Sequence, residues 1–118
     1  MIFHMLPKVI WQQQLSDQPY AGDTLATEGF IHCTGEADRL LLVANTWYAD
    51  RPGDWLILCI DEKLVVADLR WEENHGHIFP HIYGPLNLDA IVDIIAFPRQ
   101  PDGQFQLPVL NHFPLSQN

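Results

Sequence analysis

Histidine is the residue type in this chain best suited to chemistry, and its placement is uneven. His4 lies inside a short apolar run, IFHML, and His32 inside a second, GFIHC; His75, His77 and His81 cluster, and His112 lies in the tail. Imidazole titrates near neutral pH and serves as acid, base or hydrogen-bond partner. In an apolar strand it also needs a partner, because an unpaired buried polar group is costly. Alternation along a strand puts His4 on a face with Ile2 and Leu6, His32 with Phe30 and Thr34, and His81 with Tyr83. If these strands are neighbours, His4, His32, His81 and Tyr83 line one cleft suited to ribose hydroxyls. Tyr48, Trp47 or Phe79 would then stack on a base, although Trp47 reads more naturally as core. The bland alternative is that each imidazole satisfies a structural hydrogen bond of its own.

Other chemistries find less support. The segment His75-Gly76-His77-x3-His81 invites a metal, but its spacing matches no zinc motif and Gly76 suggests a polar loop, so no metal is expected. Ser16 and Ser116 lie in a loop and a tail, and Cys33 faces away from its neighbour His32, so no nucleophile meets a base. Glu28, Glu72 and Glu73 adjoin strand ends, where a carboxylate can orient a histidine or act as a base. Arginines are few (Arg39, Arg51, Arg70 and Arg99), so any that lines the cleft is an anion contact. No glycine-rich phosphate loop occurs.

The elements that must hold these groups read as follows. Ile2–Leu6 is a first strand, after which Pro7 opens a helix through KVIWQQQ. Residues 16–23 are loop. Phe30–Cys33 is a strand, and Thr34 caps a helix over 35–49 whose apolar residues recur at Leu40, Val43, Ala44 and Trp47. Trp55–Ile60 is a central strand. Leu64–Trp71 is a further strand, 73–77 a loop, and 78–83 extended, with Pro80 placing it at an edge or bulge. Ala90–Phe97 is a strong strand candidate, with a short helix starting near Leu88 as the alternative, and Phe105–Leu107 is a weak strand. About six strands and two helices make an α+β domain spanning residues 1–118.

Composition sets outer limits. With 118 residues the chain makes one domain with a sizeable core. A formal charge of −9 repels phosphate backbones, so no long nucleic acid is expected as a partner, although a local basic pocket stays open. No apolar run approaches the roughly 20 residues of a membrane helix, and no leader precedes an apolar stretch, so a cytoplasmic location without membrane contact is expected. Cys33 and Cys59 read as buried thiols rather than a disulfide.

Four strings together resemble the bacterial domain of unknown function 952 family across nearly the whole chain: IFHML at 2–6, EGFIHCT at 28–34, LILCIDEKL at 56–64 and WEENHGHIFPHIYGPLNLDAIV at 71–92. That family in turn is similar to a small ADP-ribosyltransferase fold, which implies a split β-sheet core with two helices and NAD as a substrate. By that resemblance His4 takes the place of the first-strand residue that holds the adenosine ribose. His32, in Gly29-Phe30-Ile31-His32, takes the place of the aromatic that packs on nicotinamide. RNA 2′-phosphotransferases share the fold. The late catalytic glutamate has Glu72 as a candidate, with His81 as its favoured replacement. The resemblance thus implies a nucleotide-like small-molecule ligand bound by His4, His32, Tyr83, Tyr48 and Phe79, with ADP-ribosyl transfer or N-glycosidic cleavage as the reaction. The alternatives are a binding module without catalysis and a structural or interaction protein.

Overall fold

Six strands form two antiparallel sheets in the computed structural model, which describes residues 1–108. The first sheet holds β3 (Trp55–Ile60) between β1 (Ile2–Pro7) and β6 (Ile91–Phe97). The second holds β5 (His77–Tyr83) between β2 (Ile31–His32) and β4 (Asp68–Asn74). Three α-helical segments accompany them: α1 (Lys8–Gln12), α2 (Leu25–Glu28) and α3 (Ala37–Trp47). The architecture is α+β. His112 and Ser116 lie outside the described residues.

The unbroken apolar run of β3 is explained by burial on both faces. Leu58 and Ile60 join Ile2 and Leu6 in one core cluster, whereas Trp55, Ile57 and Cys59 join Phe3 in the other. The pairing of β1 with β3, from Ile2 opposite Ile60 to Pro7 opposite Trp55, enforces that sorting, because alternate side chains point to opposite faces. Leu40 and Ala44 lay α3 onto the second cluster, with Phe97 and Phe105 beside them. Phe105 is held there by an isolated pairing with Arg99, not by the strand expected at 105–107. Tyr20, in the loop at 16–23, is buried in the first cluster because its backbone exchanges two hydrogen bonds with Leu86.

The two sheets are stitched at one pair. Phe3 and Thr34 exchange both backbone hydrogen bonds, each 2.8 Å. This accounts for the first departure from the sequence reading. Thr34 does not cap α3; the cap position is Glu36, without a side-chain bond, and the helix spans Ala37–Trp47 rather than 35–49. With its backbone committed to Phe3, Thr34 keeps a buried hydroxyl that finds no partner among the described residues.

The hairpin region differs too. The segment expected as a strand at 64–71 begins with a 3₁₀ turn over Glu62–Leu64, and β4 starts only at Asp68. Residues 73–77 are a tight hairpin rather than a loop: His75 (φ 52°) and Gly76 (φ 80°) are both left-handed, as a two-residue turn matched to strand twist requires. Strand β5 is central, not an edge. Pro80 is tolerated there because its carbonyl accepts from the Cys33 N–H at 3.1 Å just where the β2 ladder ends at His32. A residue's N–H and C=O point to the same side of an antiparallel pair, so the donor that proline lacks is the one whose absence releases the chain toward Phe3. Trp47, expected in the core, is 57% exposed and rests on the His75 ring at 5.8 Å. It shares the apolar face of α3 with Leu40 and Ala44 but is the last residue of the helix, where that face has run past the sheet. The four-residue α2 was not anticipated. No helix among the described residues is long and apolar enough to cross a membrane.

Candidate functional site

A cavity of about 600 Å³ lies where the sheets part, walled by β1, the outer flank of α3, the start of α1, the 20–24 loop and the tip and inner face of the β4–β5 hairpin. His4, His32, His81, Tyr48, Phe79 and Trp47 are on its wall, whereas Tyr83 and Glu72 are not. Tyr83 stands behind the wall, its hydroxyl donating to Glu72 Oε1 at 2.5 Å and the Arg70 guanidinium 4.4 Å from its ring centre.

Strand alternation explains the grouping. On β4 and β5, Arg70, Glu72, Phe79, His81 and Tyr83 share one face, because Arg70 pairs with His81 and Glu72 with Phe79. His32 pairs with His81 from the other side. The two imidazoles meet edge to face at 5.4 Å, and Phe30 stacks on His81 at 4.2 Å. Phe30, which the sequence offered only as a strand residue, therefore fixes the planes of His32, His81 and Tyr83.

The histidines then separate by what their nitrogens do. His81 Nδ1 donates to Glu72 Oε1 at 2.8 Å, and His81 is only 5% exposed. That bond selects the tautomer with its proton on Nδ1, leaving the lone pair of Nε2 without a protein partner among the described residues. Glu72 accepts from both Tyr83 and His81, which holds its carboxyl below the usual carboxylate range. His32 Nε2 meets Glu28 Oε1 at 3.2 Å, and both side chains are well exposed. His4 is different. Its Nδ1 donates to the His32 carbonyl at 2.6 Å, and its Nε2 accepts from the Tyr20 hydroxyl at 2.7 Å. Both nitrogens are thus spent inside the protein, and burial lowers the affinity of His4 for a proton. Burial, helped by Asp23, pushes the Tyr20 hydroxyl well up. His4 reaches the cavity as a ring wall and supports β2 through the His32 carbonyl, instead of offering a nitrogen.

Other wall residues escaped the sequence reading. Thr34 Oγ1 and Trp55 Nε1 are buried side-chain atoms with no hydrogen-bond partner among the described residues, and both residues line the cavity. Tyr20 lay unnoticed in a polar loop. Arg51 lines the wall beside Tyr48 and Trp55. The one signal available for Arg51 was the scarcity of arginines. Asp23 is the one carboxylate on the wall among the described residues.

Among the described residues no three His, Cys, Asp or Glu side chains gather to hold a metal. His75 is occupied with the hairpin turn and Trp47, and His77 with the edge of Phe79. Cys33 and Cys59 are free and buried in different clusters. Burial raises both thiols, Cys59 to about 11. Neither can act as a thiolate near neutral pH.

The fold and site define a small α+β protein with two stitched antiparallel sheets and an aromatic, imidazole-bearing cleft at the seam. The chain belongs to the family described as Protein of unknown function (DUF952), whose profile matches residues 5–94. It is similar in structure to protein CC0527 from Caulobacter crescentus. The crystal structure of that protein is 23% identical in sequence over 89% of this chain and 92% of that one, with a TM-score of 0.77. Its solution NMR structure covers 86% and 88%, with a TM-score of 0.70. At that identity the likeness establishes the fold. No curated protein matches the chain.

Proposed function

We propose that the cleft binds a ribose-phosphate ligand of the NAD type and that His81, oriented by Glu72, serves as a base beside the ribose. The observation that carries this reading is the fixed tautomer of His81: a carboxylate holds Nδ1 at 2.8 Å while the ring stands on the cavity wall. A carboxylate–imidazole pair with its far nitrogen free is the arrangement that general-base catalysis uses. The volume of about 600 Å³ suits a small-molecule ligand. Trp47, Tyr48 and Phe79 offer faces for a base, and the Thr34 hydroxyl, unmatched among the described residues, suits a sugar hydroxyl. The resemblance to the ADP-ribosyltransferase fold points to the same ligand class.

In the reaction so implied, water or an acceptor hydroxyl attacks the anomeric carbon of the nicotinamide ribose. The carbon–nitrogen bond breaks, its electron pair goes to the ring nitrogen, neutral nicotinamide leaves, and His81 Nε2 takes the attacking group's proton. Calorimetry with NAD, ADP-ribose and nicotinamide tests the binding, and chromatography of NAD incubations tests the chemistry. Micromolar binding and slow nicotinamide release, abolished in His81→Ala and strongly reduced in Glu72→Gln, are expected. No binding below millimolar concentration by any of the three ends the reading.

One observation favours a second reading, a nucleotide-binding module without turnover. Glu72 stands behind the wall, and Asp23 alone among the described residues puts a carboxylate on it, so no second acid stands beside His81 to stabilise a cationic sugar. NAD binding without nicotinamide release identifies that case.

A further inference from the structure

We infer that the Arg51 end of the cleft is an anion subsite that takes a phosphate of the ligand. This rests on the nucleotide reading above and adds which group the ligand carries and where that group sits.

The other arginines are accounted for. Arg39 pairs with Glu36 at 3.3 Å and Arg70 with Asp68 at 2.7 Å. Arg99 gives its guanidinium to the carbonyls of Ala49, Arg51, Gly53 and Gly103. The Arg51 guanidinium has no hydrogen bond or ion pair among the described residues. It stands 5.1 Å from the Trp55 ring centre and 5.4 Å from that of Tyr48, on the cavity wall. In a chain with fifteen acidic residues against six basic ones, an exposed guanidinium on the cavity wall that pairs with no described carboxylate is open to an anionic ligand. Burial and the charges of Asp23 and Glu28 raise the Tyr48 hydroxyl, and neither carboxylate pairs with Arg51.

Trp55 supplies the independent observation. It is 3% exposed, and its indole N–H is a buried donor with no partner among the described residues. Leaving such a donor unmatched is costly, and indole nitrogen can only donate. Guanidinium likewise donates and never accepts. Two donor-only groups within one ring contact of each other call for an acceptor-only partner, and a phosphate oxygen is the strongest candidate.

Register gives the spacing. Thr34 pairs with Phe3 and Trp55 with Pro7, so the two orphan side chains are anchored four residues apart on β1. That is about 13 Å along the strand. A ligand meeting both is extended, with its phosphate at Arg51 and its ribose between Thr34 and His81.

The test follows the indole N–H by proton–nitrogen NMR, with Trp55→Phe assigning the signal. The probes are inorganic phosphate, sodium acetate, adenosine and AMP, with affinities from calorimetry. The Trp55 resonance should move with phosphate and AMP, and AMP should bind at least tenfold tighter than adenosine. Arg51→Met, at an exposed position, should abolish both effects and leave adenosine unchanged. The subsite is overturned if AMP and adenosine bind alike, if Arg51→Met preserves their ratio, or if phosphate leaves the indole unmoved. Acetate moving the indole as far as phosphate overturns the phosphate assignment. If phosphate moves it through Arg51 and adding a nucleoside gains no affinity, the subsite stands and the nucleotide reading falls.

Discussion

Replacing His4 by Gln should cost stability in a pH-dependent way. The ring makes two buried bonds, to the His32 carbonyl at 2.6 Å and from the Tyr20 hydroxyl at 2.7 Å. Two neutral hydrogen bonds contribute about 1 kcal/mol each, and an orphaned Tyr20 hydroxyl adds a penalty of similar size, so the cost near pH 8 is about 3 kcal/mol. In a domain of this length that lowers the melting temperature by roughly 10 °C. Burial depresses the folded-state pKa of His4 below 6.5, opposed by the His32 carbonyl and Asp23. The unfolded chain therefore takes up the proton first as pH falls, and the neutral ring's contribution is complete above the unfolded value and declines below it. The decline approaches ~1.4 kcal/mol per pH unit until the folded value is reached. Urea unfolding followed by tryptophan fluorescence from pH 8 to 5.5 reads it directly. The gap between wild type and His4→Gln should narrow as pH falls through that range, by no more than about 1.4 kcal/mol. Parallel curves would falsify the buried-neutral assignment. An unchanged urea midpoint with loss of nucleotide binding would show instead that His4 serves the ligand and not the fold.

Four further outcomes can be checked quickly. Tyr20→Phe leaves His4 Nε2 unsatisfied without a large cavity and should cost ~1–2 kcal/mol in urea unfolding, with a non-additive double mutant alongside His4→Gln. Gly103→Ala should cost over ~2 kcal/mol because φ is 95° and a Cβ would meet the Ala49 carbonyl at 2.9 Å. Gly35→Ala should cost less than ~1 kcal/mol, since the obstacle is only the tip of the half-exposed Trp71 ring, which can swing aside and redden the fluorescence. Neither thiol should react with a disulfide reagent at pH 8 until the protein unfolds, because burial keeps Cys33 and Cys59 protonated; reaction in native buffer would contradict that.

The strands were legible wherever one physical rule acted alone. The run Trp55–Ile60 lies in the interior with both faces covered, and the pattern around Leu40 and Ala44 is a helix face meeting a sheet. Alternation alone sorted His4, His32 and His81 onto the correct faces. Errors arose where two rules competed. Thr34 carries the residue type of a helix cap, but its backbone donor and acceptor are worth more to Phe3, which no local pattern reveals. Pro80 signals an edge, yet a central strand tolerates it where its neighbour's ladder stops. Trp47 occupies the apolar face of α3 at the helix's last residue, where that face looks onto a cavity rather than a sheet. Periodicity records which side of a helix is apolar, not what stands opposite it.

The same competition explains why the site could be outlined from the histidines but not assigned from them. An imidazole has two nitrogens, and its role depends on how many the protein consumes. His4 loses both, His32 shares one with an exposed carboxylate, and His81 loses only the one that Glu72 holds. These differences come from Tyr20 and Glu72, partners 16 and 9 residues away in sequence. Thr34 and Trp55 invert the case: each lacks, among the described residues, the partner its burial demands, and both residues line one cavity. A fold that leaves two buried polar groups unmatched along one cleft, one of them beside a guanidinium, gives up stability there, and a ligand that matches them recovers it on binding. Saturating AMP should therefore raise the melting temperature of wild type more than that of Arg51→Met. An equal rise in both would mean that the unmatched groups belong to the fold alone.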